Sequence, residues 1–440
     1  MKMKRWVLPS ICVLLLCVPC SGDDKAPQRF HPPLRGNEML IEAEGEHNGI
    51  RRRGIWAYDP DTGELRLLIE NARQPIWNPQ HTHFAFREGD GFAISDRRGN
   101  LYPSLDILDG GQLLQWSPDG KRILFSRPWY ASVILLGGSK SAKGTERIEI
   151  GATVSVWENW LDERSGKLGS RPVILTDRQF RGYHVGAVSF SPDGKQLAFE
   201  IYRAVPQVGR LESKIVRAQV SANGEVVHMQ RLTQLPERFL EMNPLWSPDG
   251  QHIAFDVVDA RQQACLPCVV TSKGELVGFF VRSEEQEGSN SQHPIRVVSA
   301  YPDNVGQPLW RVLGWVTADR LAIVESLLVL TRDAHRLARQ VLITDIYGQQ
   351  PVVYTSWDGL INLTTHALFV LSKDGRKLVV FWALDSFEEC MSGLTTVFDL
   401  ATVLQRTGSI TGRAASPLIP VRGKWLKGLE KLERVFWVSW

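Results

Sequence analysis

The chain has 440 residues, of which 43% are hydrophobic and 22% charged, an ordinary globular composition. Its formal charge of +3 includes Lys2, Lys4 and Arg5 at the extreme N-terminus, so the remainder is close to neutral. A near-neutral chain without a basic cluster excludes a nucleic-acid partner. Fifteen Trp is a high count and calls for a fold that uses large apolar plugs.

Residues 1–22 read as a secretory signal peptide. Three cationic side chains precede the apolar run Trp6 to Val18, and the polar Ser21-Gly22-Asp23-Asp24 follows. The run is too short for a stable membrane span, and no later stretch is long and apolar enough to be one. Cys20 sits where a bacterial lipoprotein would carry its lipid, although Cys17-Val18-Pro19 departs from the usual small-residue approach. Lipidation of Cys20 and plain cleavage both remain open. The expected location is therefore exported, either periplasmic or secreted, or membrane-anchored through lipid.

Residues 23–37, with Pro27, Pro32 and Pro33, read as a flexible linker, and residues 38–440 as one domain. Met39 to Ala43, Gly54 to Tyr58 and Leu65 to Leu68 are strand candidates, the last two joined by a turn at Asp59 to Gly63. They form the outer strands of a unit whose inner strand is missing locally.

One sentence then repeats along the chain. Trp116-Ser117-Pro118-Asp119-Gly120-Lys121-Arg122-Ile123-Leu124-Phe125 reads as a strand ending in an aromatic, a tight turn and a second, alternating strand. Pro118 presets φ, Asp119 bonds its own backbone, and Gly120 takes the positive φ that the turn needs. Phe190 opens a second copy with Asp193 and Gly194, and Trp246 a third with Asp249 and Gly250. Leu371 opens a fourth with Asp374 and Gly375. Trp77 and Trp315 open degraded copies, the first with His81, Thr82 and His83 in place of the turn glycine. A repeated supersecondary unit means a solenoid, propeller or array. The first spacing matches a bare four-stranded blade of about 40–45 residues; the others are longer by roughly ten to thirty. The insertions at 128–171 and 261–293 are loops, where function gathers.

The W-S-P-D-G-K-x-I-A-F pattern resembles the repeat (PD40, WD40-like) of the TolB-like and prolyl-oligopeptidase-like β-propellers, from about Gln74 to Phe381. The resemblance implies an all-β fold, a single β-propeller of six or seven four-stranded blades. Seven follows if the C-terminal strand near Leu432 to Trp440 pairs with the orphan strands of 39–69 and closes the ring. Leu426, Leu429, Leu432 and Val435 also allow a short helix there.

No G-x-S-x-G nucleophile elbow occurs, and only about sixty residues follow Phe381, too few for a hydrolase domain of typical size. His81 and His83 read as a hydrated turn, since a metal needs three or more ligands. His184 and His366 precede inner strands, so a propeller enzyme, a metal-dependent polyuronide lyase or hydrolase with channel histidines, is the alternative reading; the other is two histidines bonded to backbone. Cys265-Leu266-Pro267-Cys268 lacks the βαβ setting of a redox motif, and in an exported chain a local disulfide between Cys265 and Cys268 is expected. Gln74, Asn243 and Gln307 each precede Pro-x-Trp. By the resemblance they, with Arg73, His184 and His366, ring the channel mouth; otherwise they cap strand starts. The expected function is an exported, non-catalytic, TolB-like scaffold that binds a protein or peptide in the cell envelope and implies no cofactor.

Overall fold

The computed structural model describes residues 32–89, 91–107, 113–136, 143–158, 169–173, 183–205, 210–220, 226–259, 264–282, 295–297, 309–330, 335–347, 352–354, 367–372, 377–382, 395–399 and 424–440. The leader with Cys20, most of the linker, and the positions Gln307, His366, Asp374 and Gly375 lie outside these residues. Among the described residues no helix is long and apolar enough to cross a membrane.

The described chain is an all-β propeller. Sheet 1 holds Met39–His47, Ile50–Tyr58 and Leu65–Glu70, with Leu432–Ser439 as its fourth strand. Sheet 2 runs through Arg73–Trp77, His83–Glu88, Gly91–Asp96 and Leu101–Ile107; sheet 3 through Leu113–Trp116, Arg122–Leu136, Lys143–Glu158 and Gly169–Val173. Sheet 4 is His184–Phe190, Gln196–Val205, Arg210–Val220 and Val226–Arg231. Sheet 5 begins with Phe239–Trp246, His252–Asp259 and Ala264–Thr271, continues with Leu309–Thr317, Arg320–Leu330, His335–Asp345 and Val352–Tyr354, and carries Leu276–Arg282 and Ile295–Val297 off that path. Sheet 6 is Ala367–Leu371, Lys377–Trp382, Thr395–Asp399 and Lys424–Trp425.

This corrects the expected blade number. The structure has five four-stranded blades, not six or seven, and the nine strands of sheet 5 are joined in one. The physical link is a parallel pairing of Cys265 with Leu309, which bridges two hairpin systems that the repeat pattern treats as separate. The C-terminal strand does pair with Met39–His47, Ser439 opposite Leu40, and the short helix is reduced to one 3-10 turn at Leu429–Lys431.

The first strands of successive sheets touch one another and form the hub. Each repeat aromatic is buried against the preceding hairpin unit, which for Trp315 lies in the same nine-stranded sheet. Trp77 packs with Leu40, Ile55 and Phe84. Trp116 packs with Ile76, Ala85 and Ile94. Phe190 meets Leu124, Trp246 meets Ala198 and Ile215, and Trp315 meets Leu245 and Ala254. Polar bonds fix the same contacts. The indole N–H of Trp116 donates to the Ile76 carbonyl (2.9 Å), and that of Trp315 to the Leu245 carbonyl (3.0 Å). The main-chain N–H of Trp77, Phe190 and Trp246 donates to Ser439 Oγ, Gln115 Oε1 and Ser189 Oγ at 3.0, 2.9 and 3.1 Å. These acceptors sit one residue before Trp440, Trp116 and Phe190, so Trp440 takes the place of the repeat aromatic in sheet 1.

The turns behave as their residues require. In the Trp116 repeat the Gly120 N–H donates to the Ser117 carbonyl (2.8 Å), while Asp119 accepts from the Ser117 hydroxyl and from the Lys121 N–H (3.0 Å). Asp193 and Asp249 do the same for Ser191 and Lys195, and for Ser247 and Gln251. Burial works against the charged form of all three aspartates, but these donors prevail and hold each carboxyl below its ordinary range. In the degraded copy, Asn78 Oδ1 accepts from the N–H groups of Thr82 (2.9 Å) and His83 (3.1 Å). His81 takes the glycine's positive φ, 52°, and stacks on Trp77 at 5.4 Å.

Gly250 has φ 71°, and a β-carbon there would lie 3.4 Å from Pro192 of the preceding turn. Gly250→Ala is expected to cost about 1–2 kcal/mol through the left-handed backbone. The midpoint of denaturant unfolding, at unchanged slope, measures it; an unshifted midpoint contradicts the turn geometry.

Candidate functional site

At one end of the hub strands the ladder is broken by bulges. The register slips between Arg73 and Ile76, between Val185 and Val188, between Met242 and Leu245, and between Val312 and Gly314. Two causes are local. Gln74 and Asn243 adopt φ of 48° and 54°, and the following Pro75 and Pro244 have no N–H to give to a ladder. The freed main-chain donors are met by carboxylates from the second strand of the preceding hairpin unit, across sheets for Glu42 and Glu200 and within sheet 5 for Asp256. Glu42 Oε2 accepts from the Gln74 N–H (2.9 Å) and Asp256 Oδ1 from the Val312 N–H (2.7 Å). Glu200 Oε2 lies 3.5 Å from the Asn243 nitrogen.

These acids are buried: Glu42 is 3% exposed, Glu200 7% and Asp256 1%. Burial pushes the Glu200 and Asp256 carboxyls up. The Ser213 hydroxyl, the Asn243 N–H and the Ala187 N–H pull Glu200 partly back, as the Val312 N–H, Asn243 and Arg311 do Asp256. Asn243 Nδ2 donates to Asp256 at 3.0 Å, and the Arg311 guanidinium stands 3.5 Å from it. Arg53 pairs with Glu42 at 2.9 Å. A deeper pair, Lys214 and Glu241 at 3.2 Å, ties sheet 4 to the hub strand Phe239–Trp246; Lys214 also donates to the Phe239 carbonyl.

The expected mouth residues are brought together in part. Gln74 and Asn243 occupy equivalent bulges, and Arg73 is exposed beside the first. Asn243 turns its amide inward to Asp256, while Gln74 Oε1 is buried without a partner. His184 begins its strand opposite Tyr202. The sequence reading passed over Trp437, which stands before Trp440 as Gln74 stands before Trp77. It is 40% exposed on the hub strand of sheet 1; its neighbour Phe436 is 39% exposed and lies 4.1 Å beneath the Arg53 guanidinium. It also passed over the acids, whose signal is a carboxylate directly after the repeat's aromatic, as in Phe199-Glu200 and Phe255-Asp256. The mouth therefore presents arginine and aromatic surface above carboxylates occupied by backbone donors. Such a surface offers cation–π, carboxylate-pairing and apolar contacts.

The expected disulfide is corrected. Cys265 and Cys268 are both free and buried. They lie three residues apart on one extended strand, so their side chains face opposite ways and their Cα atoms are about 10 Å apart, beyond the reach of a disulfide. Burial pushes the Cys265 thiol up to about 12, with Asp256 adding to it, and pushes Cys268 well above its ordinary range. Neither is a thiolate at neutral pH. Among the described residues no three His, Cys, Asp or Glu side chains are grouped to hold a metal ion.

No protein-family model matches the chain, and no curated protein matches it in sequence. Solved structures do. A puromycin hydrolase S511A mutant is similar over 84% of this chain and 51% of its own, at 13% identity and a TM-score of 0.50. A protein assigned as TolB in Agrobacterium tumefaciens is similar over 72% of this chain and 87% of its own (16% identity, TM-score 0.36). Dipeptidyl peptidase 4 of Porphyromonas gingivalis is similar over 83% and 50% (11% identity, TM-score 0.43). The chain spans about half the length of the hydrolase and the peptidase. At these identities the likeness is one of fold.

Two outcomes follow. Because Glu200 is raised in the folded state, it supports folding below its ordinary range and loses that contribution as pH rises through the raised value. In Glu200→Gln the melting temperature relative to the parent is expected to climb as pH rises from the ordinary carboxylate range of about 4; parallel curves contradict the assignment. In a leaderless chain carrying Cys390→Ala, Cys265 and Cys268 should take up iodoacetamide only after denaturation. Non-reducing peptide mapping should find no bond between them.

Proposed function

We propose that this chain is an exported, non-catalytic, TolB-like scaffold whose hub mouth binds an extended segment of a protein or peptide in the cell envelope. The observation that supports it is the exposure of Phe436 and Trp437 on the hub strand of sheet 1, flanked by Arg53 and Arg73, while the acids beneath them are engaged by backbone donors. Aromatic and arginine side chains are the residue types that dominate binding energy at interfaces, and an acidic or aromatic segment would complement them. The leader read from the sequence supports export, and the S-P-D-G-K repeat supports kinship with the TolB-like propellers. Arg73, Gln74 and Asn243 belong to this mouth by position, and His184, Gln307 and His366 extend it in this reading. The metal-dependent lyase alternative draws no support from the described residues.

A photo-crosslinker at position 437 should capture an envelope protein that the same crosslinker at the exposed Leu276 does not. The purified partner should bind Trp437→Ala and Arg73→Ala at least about tenfold more weakly, the scale of a hot-spot residue. Equal capture from both positions, or unchanged affinity in both variants, overturns the reading.

A further inference from the structure

The other end of the hub strands carries a second feature, independent of the mouth. There the hairpin turns of successive repeats pack against one another. Gln80 Nε2 donates to the Pro118 carbonyl of the next turn (3.1 Å), and Arg122 Nη2 to the Gly194 carbonyl of the turn after that (3.2 Å). The Arg122 guanidinium also lies over the Phe190 ring at 5.8 Å. Pro192 in turn abuts the turn at Gly250.

Sheet 1 breaks this chain of contacts. Its first two strands, Leu432–Ser439 and Met39–His47, come from opposite ends of the sequence, so no turn joins Trp440 to Met39. The place a turn would fill is a cavity of about 430 Å³, lined among others by Asn37, Asp61, His81, Ser372, Lys377 and Trp440. The volume is within the range of about 300–1,000 Å³ typical of ligand sites. Its neighbours are set for a turn. Lys377 holds the repeat position of Arg122, and its ammonium lies over the Trp440 ring at 5.7 Å, as Arg122 lies over Phe190. Arg122 has a turn carbonyl to bond; the Lys377 ammonium makes no hydrogen bond or ion pair with a described residue. Across the cavity stands the Asp61 carboxylate, held by Asn37 Nδ2 at 2.6 Å.

We propose that this seam slot is a binding site for a tight β-turn of a partner polypeptide, of the Pro-Asp-Gly kind the repeats themselves use. The partner's turn completes the ring of turns: its carbonyl and acidic side chain meet Lys377, its apolar edge lies on Trp440, and a basic residue following the glycine meets Asp61.

The probe is a labelled cyclic peptide that closes Ser-Pro-Asp-Gly-Lys into a turn, titrated into the leaderless chain by fluorescence anisotropy. Saturable binding is expected, weakened at least about tenfold by Lys377→Ala and by Trp440→Ala, and unchanged by Lys195→Ala at a turn whose neighbours are in place. Lys377 is exposed, so its variant decides the matter if Trp440→Ala does not fold. Absence of saturable binding, or equal binding by Lys377→Ala and parent, overturns the proposal. So does binding that appears only after residues 23–31 are deleted, which would give the slot to the chain's own segment.

Discussion

Five hub strands, those ending near Trp77, Trp116, Phe190, Trp246 and Trp315, are fastened to the one before by a buried aromatic side chain. Burying one indole removes about 150–250 Å² from water, an upper bound of roughly 4–6 kcal/mol, whereas each accompanying hydrogen bond contributes about 0.5–1.5 kcal/mol. Packing therefore supplies the energy of the ring, and the polar bonds supply its register. The acceptors for Trp116 and Trp315 are the carbonyls of Ile76 and Leu245, each one residue before the preceding aromatic. The device is incomplete in one place: the Trp246 indole N–H is buried with no acceptor among the described residues, while its main-chain N–H donates to the Ser189 hydroxyl. An unmet donor of that kind costs about 1–3 kcal/mol, which the surrounding cluster of Phe255, Ile253 and Cys268 offsets.

The same ring explains the acids at the mouth. Bulges at Gln74, Asn243 and Val312 turn main-chain N–H groups out of the ladder, and a buried N–H needs an acceptor. Glu42 and Glu200 provide one from the neighbouring sheet, and Asp256 from the preceding hairpin of its own sheet. Their burial lifts Glu200 and Asp256, and their backbone partners oppose that lift, so the groups are spent on architecture and are poor candidates for proton transfer. What the mouth has left to offer a partner is what projects above them: Arg53, Arg73, Arg311, Phe436 and Trp437.

The hairpins were legible in the sequence because turn chemistry is local. Pro118, Asp119 and Gly120 state their conformation within four residues, and Asn78 with His81 shows the same turn reached by other side chains. The pairing of the C-terminal strand with Met39–His47 was legible too, since orphan outer strands need an inner one. The blade number was not. It depended on whether Cys265 and Leu309 would bond across two hairpin systems, a long-range choice that periodicity does not encode. The free thiols show the opposite error: a C-x-x-C spacing was read for its chemistry, while the strand that carries it places the two sulfurs on different faces. Trp437 stands in an apolar strand run, and only its equivalence to Gln74 and Asn243 marks it as part of the mouth.

The closing sheet is where the repeat is least constrained. Elsewhere, a hairpin turn and the bulge before it are written into one continuous segment, so a change in either disturbs the strand that follows. In sheet 1 the inner strand and its partner are separate in the chain. Its bulge position can carry an exposed Trp437 in place of an amide, and its turn position can stand open beside Lys377 and Trp440. Both departures from the repeat fall on the same sheet, one at each end of the same strand, Leu432–Ser439. A ring that must be closed by two unlinked strands thus has one sheet at which contacts to other molecules can replace contacts that the repeat makes to itself, and both surfaces proposed for binding lie there.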